Sequence, residues 1–94
     1  MARCLWDPAK NRRLIAERGV SFEEVATLIE AGALVDIFDH PDPKRRHQRI
    51  AVIEMGRYAY LVPYVETEGG DFFLKTIIPS RKATKKYLRK GGGK

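Results

Sequence analysis

Four side chains of this 94-residue chain combine a type that can act on a phosphate group with a telling position in the sequence. Arg81 follows Ile77-Ile78-Pro79-Ser80, an apolar run closed by a residue able to cap a helix. At such a strand-to-helix junction a guanidinium projects over the end of a sheet. There it can grip a phosphate through two parallel N–H donors, which an ammonium cannot do. Arg49 and Lys75 interrupt segments that are otherwise apolar. A charge in such a run snorkels to solvent, pairs, or lines a cleft. His47 follows Lys44-Arg45-Arg46. Those three cations disfavour its protonated form and leave a neutral imidazole able to accept a proton. Each residue also has a plain reading: a solvent-facing cation for Arg49 and Lys75, and an incidental loop imidazole for His47. His40, before Pro41, reads as a strand-ending residue.

The charge distribution adds a surface to these four. From Phe72 to Lys94 there are eight Lys/Arg and no Asp or Glu. Residues 1–39 carry five cations against seven acids, and 40–71 carry five of each, so the net +6 resides at one end of the chain. Such a concentration draws polyanions, and nucleic acid foremost, because neutralised phosphates release counterions. Lys82, Lys85 and Lys86, with Lys44, Arg45 and Arg46, are the expected nucleic-acid contacts. Tyr64, in alternation with Tyr58 and Tyr60, could stack a base. Basic tails also solubilise domains without binding anything, and alternating tyrosines are ordinary sheet residues.

The elements that must position these groups follow from pattern. Asp7-Pro8 reads as an N-cap and first helical residue, opening a helix from Pro8 to about Arg18 that Gly19 ends. Ser21-Phe22-Glu23-Glu24 is a capping box, with Val20 and Val25 placed as a hydrophobic staple and Gly32 closing the helix. Glu23 and Glu24 are therefore capping groups before they are general bases. The period then shortens. Strands are expected at Ala33–Asp39, Gln48–Met55, Tyr58–Thr67 and Phe72–Pro79, with a tight turn at Gly56-Arg57 and a hairpin at Glu68-Gly69-Gly70-Asp71. A last helix, Arg81 to about Lys90, turns Ala83, Tyr87 and Leu88 inward and its cations outward. Helix, helix, four antiparallel strands and a basic C-terminal helix predict an α+β domain of two layers, with the helices on one face. Residues 1–90 form this single domain, and the glycine-rich 91–94 a flexible tail.

Bulk composition excludes other classes. An apolar content of 44% is that of a globular protein. The lone Cys4 forms no internal disulfide, and no Cys/His spacing suits zinc, so neither metal nor cofactor is expected. No apolar run approaches the ~20 residues that span a bilayer. Nothing at the N-terminus reads as an export signal, which points to the cytoplasm.

Three motifs in order resemble the BrnT family of toxins from type II toxin–antitoxin modules: Trp6-Asp7-Pro8 with Lys10, Gly19-Val20-Ser21-Phe22-Glu23, and Ile77-Ile78-Pro79-Ser80-Arg81-Lys82-Ala83-Thr84. The resemblance spans nearly the whole chain. It implies a RelE-like fold and a metal-independent endoribonuclease that arrests translation. It also implies a cognate antitoxin with a ribbon-helix-helix DNA-binding part, and operator DNA bound through the complex. The chain departs from the family pattern at Glu17-Arg18, where a Lys-His pair is usual, and at Pro79-Ser80, where Ser-Ala is usual.

Metal-free RNA cleavage needs a base for the ribose 2′-OH, an acid for the leaving 5′-oxygen, and cations for the charge on the phosphorane. Arg81, Arg49, His47 and Lys75 are the residues expected to supply them. Two other readings fit the same sequence: a non-catalytic nucleic-acid-binding module or inactive relative, and a toxin of similar fold that poisons a protein such as gyrase.

Overall fold

The computed structural model describes residues 3–88; Arg89, Lys90 and the tail expected at 91–94 lie outside the described residues. In chain order the elements are β1 (Cys4–Leu5), α1 (Pro8–Arg18), α2 (Phe22–Glu30), β2 (Leu34–Asp39), β3 (Arg49–Met55), β4 (Tyr58–Glu66), β5 (Phe72–Leu74), β6 (Ile78–Pro79) and α3 (Arg81–Ala83). A short 3₁₀ turn covers Pro43–Arg45, and α3 continues as a π-helical turn over Thr84–Leu88.

Local chemistry sets the two N-terminal helices. The Asp7 carboxylate accepts from the Ala9 amide, Pro8 occupies the first turn, and Gly19 ends α1 at φ +70°. The Ser21 hydroxyl accepts from the Glu24 amide while the Glu24 carboxylate accepts from the Ser21 amide, completing the capping box. The two helices are joined by a buried asparagine. Asn11, 6% exposed, accepts from the Phe22 amide through Oδ1 at 2.7 Å and donates through Nδ2 to Glu23 Oε1 at 2.7 Å. One of the orphan amides at the start of α2 is thus satisfied from α1.

The sheet runs in the order β1-β5-β4-β3-β2, with β6 also on β4. It is mixed rather than wholly antiparallel, because the two-residue β1 joins β5 in parallel, pairing Cys4 with Phe72 and Leu5 with Phe73. The fourth expected strand, Phe72–Pro79, is split. Leu74 lies opposite Tyr64 and Ile78 opposite Leu61, so three residues (Lys75, Thr76, Ile77) face two (Val62, Pro63). This bulge turns both Leu74 and Ile77 into one core despite their three-residue spacing.

Strand alternation divides that core from a second one. Ala51, Ile53, Val62, Tyr64, Leu74 and Ile77 pack with Leu14, Val20, Phe22 and Val25 of the N-terminal helices. Trp6 stacks on Phe22 at 5.8 Å between ring centroids. Burial of Phe22, Ile53 and Ile77, all fully enclosed, contributes about 1.5–3 kcal/mol each. The intervening residues of β3 and β4 face the other way. There Val52 and Ala59 meet Ala83, with Leu61, Tyr87 and Leu88 around them. The two-layer expectation is corrected on this point: α3 lies on the face opposite α1 and α2, so helices flank both sides of the sheet.

Candidate nucleic-acid interface

The N-terminus of α3 is held onto β4 by a closed set of bonds. The Ser80 amide donates to the Ala59 carbonyl at 3.0 Å, and its hydroxyl accepts from the Ala83 amide at 3.0 Å. The Thr84 hydroxyl donates to the Ser80 carbonyl at 2.8 Å and accepts from the Ala59 amide at 2.9 Å. From the other face, Arg18 Nη1 donates to the Ile77 carbonyl at 2.7 Å, pinning the bulge that leads into the junction. Arg81 leaves from this clamped segment. It is exposed, and no ion pair engages it among the described residues. Lys82, Lys85 and Lys86 are exposed on the outer side of the same segment, while Ala83, Thr84, Tyr87 and Leu88 turn toward the sheet. Lys86 Nζ lies 5.2 Å from the centre of the Tyr87 ring.

A second basic cluster sits at the other end of β4. Lys44, Arg45, Arg46 and His47 form the loop between β2 and β3, all exposed. Asp42 organises it: one carboxylate oxygen caps Lys44 N at 3.0 Å and the other takes Arg45 Nη1 at 2.8 Å. His40 Nδ1 accepts from the Asp42 amide at 3.1 Å, so that imidazole structures the loop. Arg49 begins β3 and faces Asp39 at 3.5 Å. With those side chains 62% and 83% exposed, the pair contributes little and leaves Arg49 free to exchange partners.

The four residues expected to act together therefore separate. Arg49 lies opposite Tyr64, whereas Arg81 follows the residue bonded to Ala59. Positions 59 and 64 are five steps apart on one strand, about 17 Å at the usual rise. His47 stays with Arg49. Lys75 lies near their end of the sheet, its amide on the Pro63 carbonyl at 2.8 Å, but its ammonium sits 5.4 Å from the Phe73 ring. Phe73 and Leu74 alternate across the strand, which puts Lys75 on the face opposite Arg49. Tyr64 is 7% exposed and packs edge-on against Phe72 at 5.1 Å, so its ring belongs to the core.

The fold adds Arg57 to the Arg81 end. Gly56 and Arg57, at φ +59° and +67°, form the two-residue turn of the β3–β4 hairpin, two residues before Ala59. Asn or Gly is the usual occupant of such a position. An arginine there is the signal in the sequence that the turn alone did not explain. Glu54, opposite Ala59 on β3, is exposed at the same end. At the far N-terminus, Cys4 is half-buried, and burial followed by the nearby Glu30 charge raises its thiol pKa, the reverse of what a nucleophile needs.

The family model for BrnT, the ribonuclease toxin of type II toxin–antitoxin systems, matches residues 6–86. The chain belongs to the BrnT ribonuclease toxin family. All three sequence motifs fall inside the match, as do both basic clusters described above. Comparison with curated proteins and with solved structures gives no match. Membership makes the chain a toxin of a type II module, with RNA cleavage as the family's activity and an antitoxin as its counterpart. Among the described residues no helix is long and apolar enough to cross a membrane, and no group of His, Cys, Asp and Glu is arranged to hold a metal ion.

Proposed function

We propose that this chain is a metal-independent endoribonuclease that cleaves single-stranded RNA and so inhibits translation, with its reaction centre at the Arg81 end of β4. The observation that carries the reading is Arg81, exposed and without an ion-pair partner among the described residues, at the backbone-clamped junction of β6 and α3. The fixed backbone sets the point from which this guanidinium reaches for charge that develops in a transition state. Arg57 and Lys82 lie at the same end and complete a cationic cradle for one phosphate. Glu54 and Ser80 flank Ala59 on either side of β4, so their backbones stand about 10 Å apart at the same end of the sheet.

In this arrangement Glu54 takes the proton of the 2′-OH. The 2′-oxygen attacks phosphorus, the cradle holds the extra charge on the phosphorane, and the 5′-oxygen leaves with a proton from Lys82 or water. The products are a 2′,3′-cyclic phosphate and a 5′-hydroxyl. His47 and Arg49 do not serve that phosphate, because they sit at the end of β4 about 17 Å along the strand from the Arg81 end and proton transfer needs hydrogen-bond reach. With Lys44, Arg45 and Arg46 they engage the strand further along, and Lys85 and Lys86 continue the track beside α3. A cognate antitoxin neutralises the activity, and its ribbon-helix-helix part carries the complex to operator DNA.

The test is cleavage of labelled single-stranded RNA with EDTA present. Wild type should yield cyclic-phosphate ends. Arg81→Ala should lose about 10²–10³-fold in rate, the cost of removing one preorganised charge donor. Arg81→Lys should recover only part, since it grips through a single donor, and Glu54→Gln should fall with it. Undiminished cleavage by Arg81→Ala would overturn this placement of the centre.

A further inference from the structure

Strand β2 carries an unusual edge. All six residues, Leu34 to Asp39, are exposed. Four are large and apolar: Leu34 at 37%, Val35 at 38%, Ile37 at 40% and Phe38 at 38%. They are not confined to one face. Ile37 pairs with Ala51 of the α1–α2 face and Phe38 with Ile50 of the α3 face. Long apolar edge strands are templates for pairing, and proteins normally shorten, charge or cover them. The guards here are polar and local: the register shifts between Leu34 and Asp36, and Asp36 and Asp39 carry charge. Asp36 Oδ1 accepts from the Ile37 amide at 2.8 Å and Asp36 Oδ2 from the Tyr87 hydroxyl at 2.6 Å. The backbone is capped at that point, while the apolar side chains remain uncovered.

Beside the edge, on the α3 face, lies an open groove of about 440 Å³. Phe38, Leu61 and Tyr87 line it together with Lys82 and Lys86, and the one carboxylate in the lining, Asp36, is already bonded to the Tyr87 hydroxyl. Apolar side chains flanked by ammonium groups suit an extended peptide that alternates apolar and acidic residues. RNA has no use for Leu34, Val35 and Ile37. A second copy of this chain would bring the same lysines and a chain of net charge +6 against them, which is unfavourable.

We infer that β2 and the groove between Phe38 and Tyr87 are the docking surface for an extended, acidic and apolar segment of the cognate antitoxin. The inference rests on the toxin reading in requiring that antitoxin, but not on the position of the nuclease centre. Bound there, the segment covers the exposed edge and places its carboxylates on Lys82 and Lys86. Inhibition then follows from covering Lys82 of the proposed cradle together with the basic track beside α3, with no contact to Arg81 required.

The test uses the full chain with the full-length antitoxin encoded beside it. Ile37→Asp and Phe38→Asp should each weaken the complex at least 100-fold while RNA cleavage by the free protein is unchanged. Hydrogen exchange on the wild type gives a second readout that needs no variant: amides of residues 34–39 should become protected when the antitoxin binds. Unchanged affinity in both variants, with no protection of 34–39, overturns the inference. So does a free protein that is dimeric through β2 and becomes monomeric in Phe38→Asp with antitoxin affinity intact. So does a loss of RNA binding in these variants while the antitoxin still binds. A wild type that cleaves RNA yet forms no complex overturns the docking surface and leaves the nuclease standing; a complex disrupted by Phe38→Asp from a chain that never cleaves RNA does the reverse.

Discussion

Arg18 Nη1 donates to the carbonyl of Ile77 at 2.7 Å, across 59 residues of sequence. The bond ties the last turn of α1 to the bulge that interrupts the fourth strand, three residues before the Ser80 cap. It gives a mechanical role to a position where the family pattern has a different residue pair. Arg18→Ala leaves the Ile77 carbonyl without that partner and should cost about 1.5–3 kcal/mol, the range for a hydrogen bond to a charged donor. It should also lower cleavage more than Arg18→Lys, which retains one donor. Urea denaturation and the RNA assay measure the two effects separately.

Arg57 should show stability and activity moving in opposite directions. Its left-handed backbone costs about 1 kcal/mol that Asn avoids in part. Arg57→Asn should raise the denaturation midpoint slightly, yet slow RNA cleavage and flatten its dependence on salt by removing a phosphate contact. A variant that is stabilised and fully active would remove Arg57 from the cradle.

Asn11 should be among the least replaceable polar residues. Asn11→Ala strands the Phe22 amide at a buried helix start and should destabilise by about 2–3 kcal/mol. Asn11→Asp keeps the acceptor but loses the donor and sets a second carboxylate against Glu23. It should be worse at neutral pH and recover as the medium is acidified. Thermal unfolding between pH 4 and 7 distinguishes these cases.

The Tyr87–Asp36 bond should appear in the titration of both partners. The Tyr87 hydroxyl, then the Ile37 amide, holds Asp36 below the usual carboxylate range, and the bond to Asp36 raises the Tyr87 phenol above its ordinary value. For the depressed acid, the stabilisation is complete above the ordinary carboxylate pKa and lost as pH falls through its lowered one. For the raised phenol it is complete below the ordinary phenol pKa and lost as pH rises through its raised one. The link is therefore intact across the neutral range. Carbon-13 NMR of the tyrosine ring should show Tyr87 titrating at a lower pH in Asp36→Asn than in wild type.

Much of the architecture was legible because it depends on neighbours in sequence. The Asp7-Pro8 start, the Gly19 stop and the Ser21–Glu24 box are satisfied within a few residues of themselves, so side-chain type alone specifies them. The inward set of the last helix follows in the same way from the spacing of Ala83, Tyr87 and Leu88, although Thr84 joins it through a hydroxyl whose partner, Ala59, is remote. Trp6-Asp7-Pro8, Gly19-Val20-Ser21-Phe22 and Ile77 to Thr84 sufficed for the family. What escaped was long-range. A two-residue strand such as Cys4–Leu5 has no periodicity to read, and its parallel pairing depends on Phe72 and Phe73, nearly seventy residues away. The bulge at Lys75–Ile77 shifts register by one, which alternation counted along the sequence cannot reveal.

The sequence by itself determined that this is a small α+β member of the BrnT family, strongly basic toward its C-terminus, because caps, turns, periodicity and charge are properties of local residue order. Only the tertiary structure decided which cations share an end of the sheet. Arg81 and Arg49 are both candidates for one site when read along the chain. Pairing of β6 and β3 with opposite ends of β4 sets them beside positions of that strand about 17 Å apart. It also decided that α3 crosses to the far face, because the parity of Val52 and Ala59 leaves an apolar strip there that only Ala83, Tyr87 and Leu88 are placed to cover.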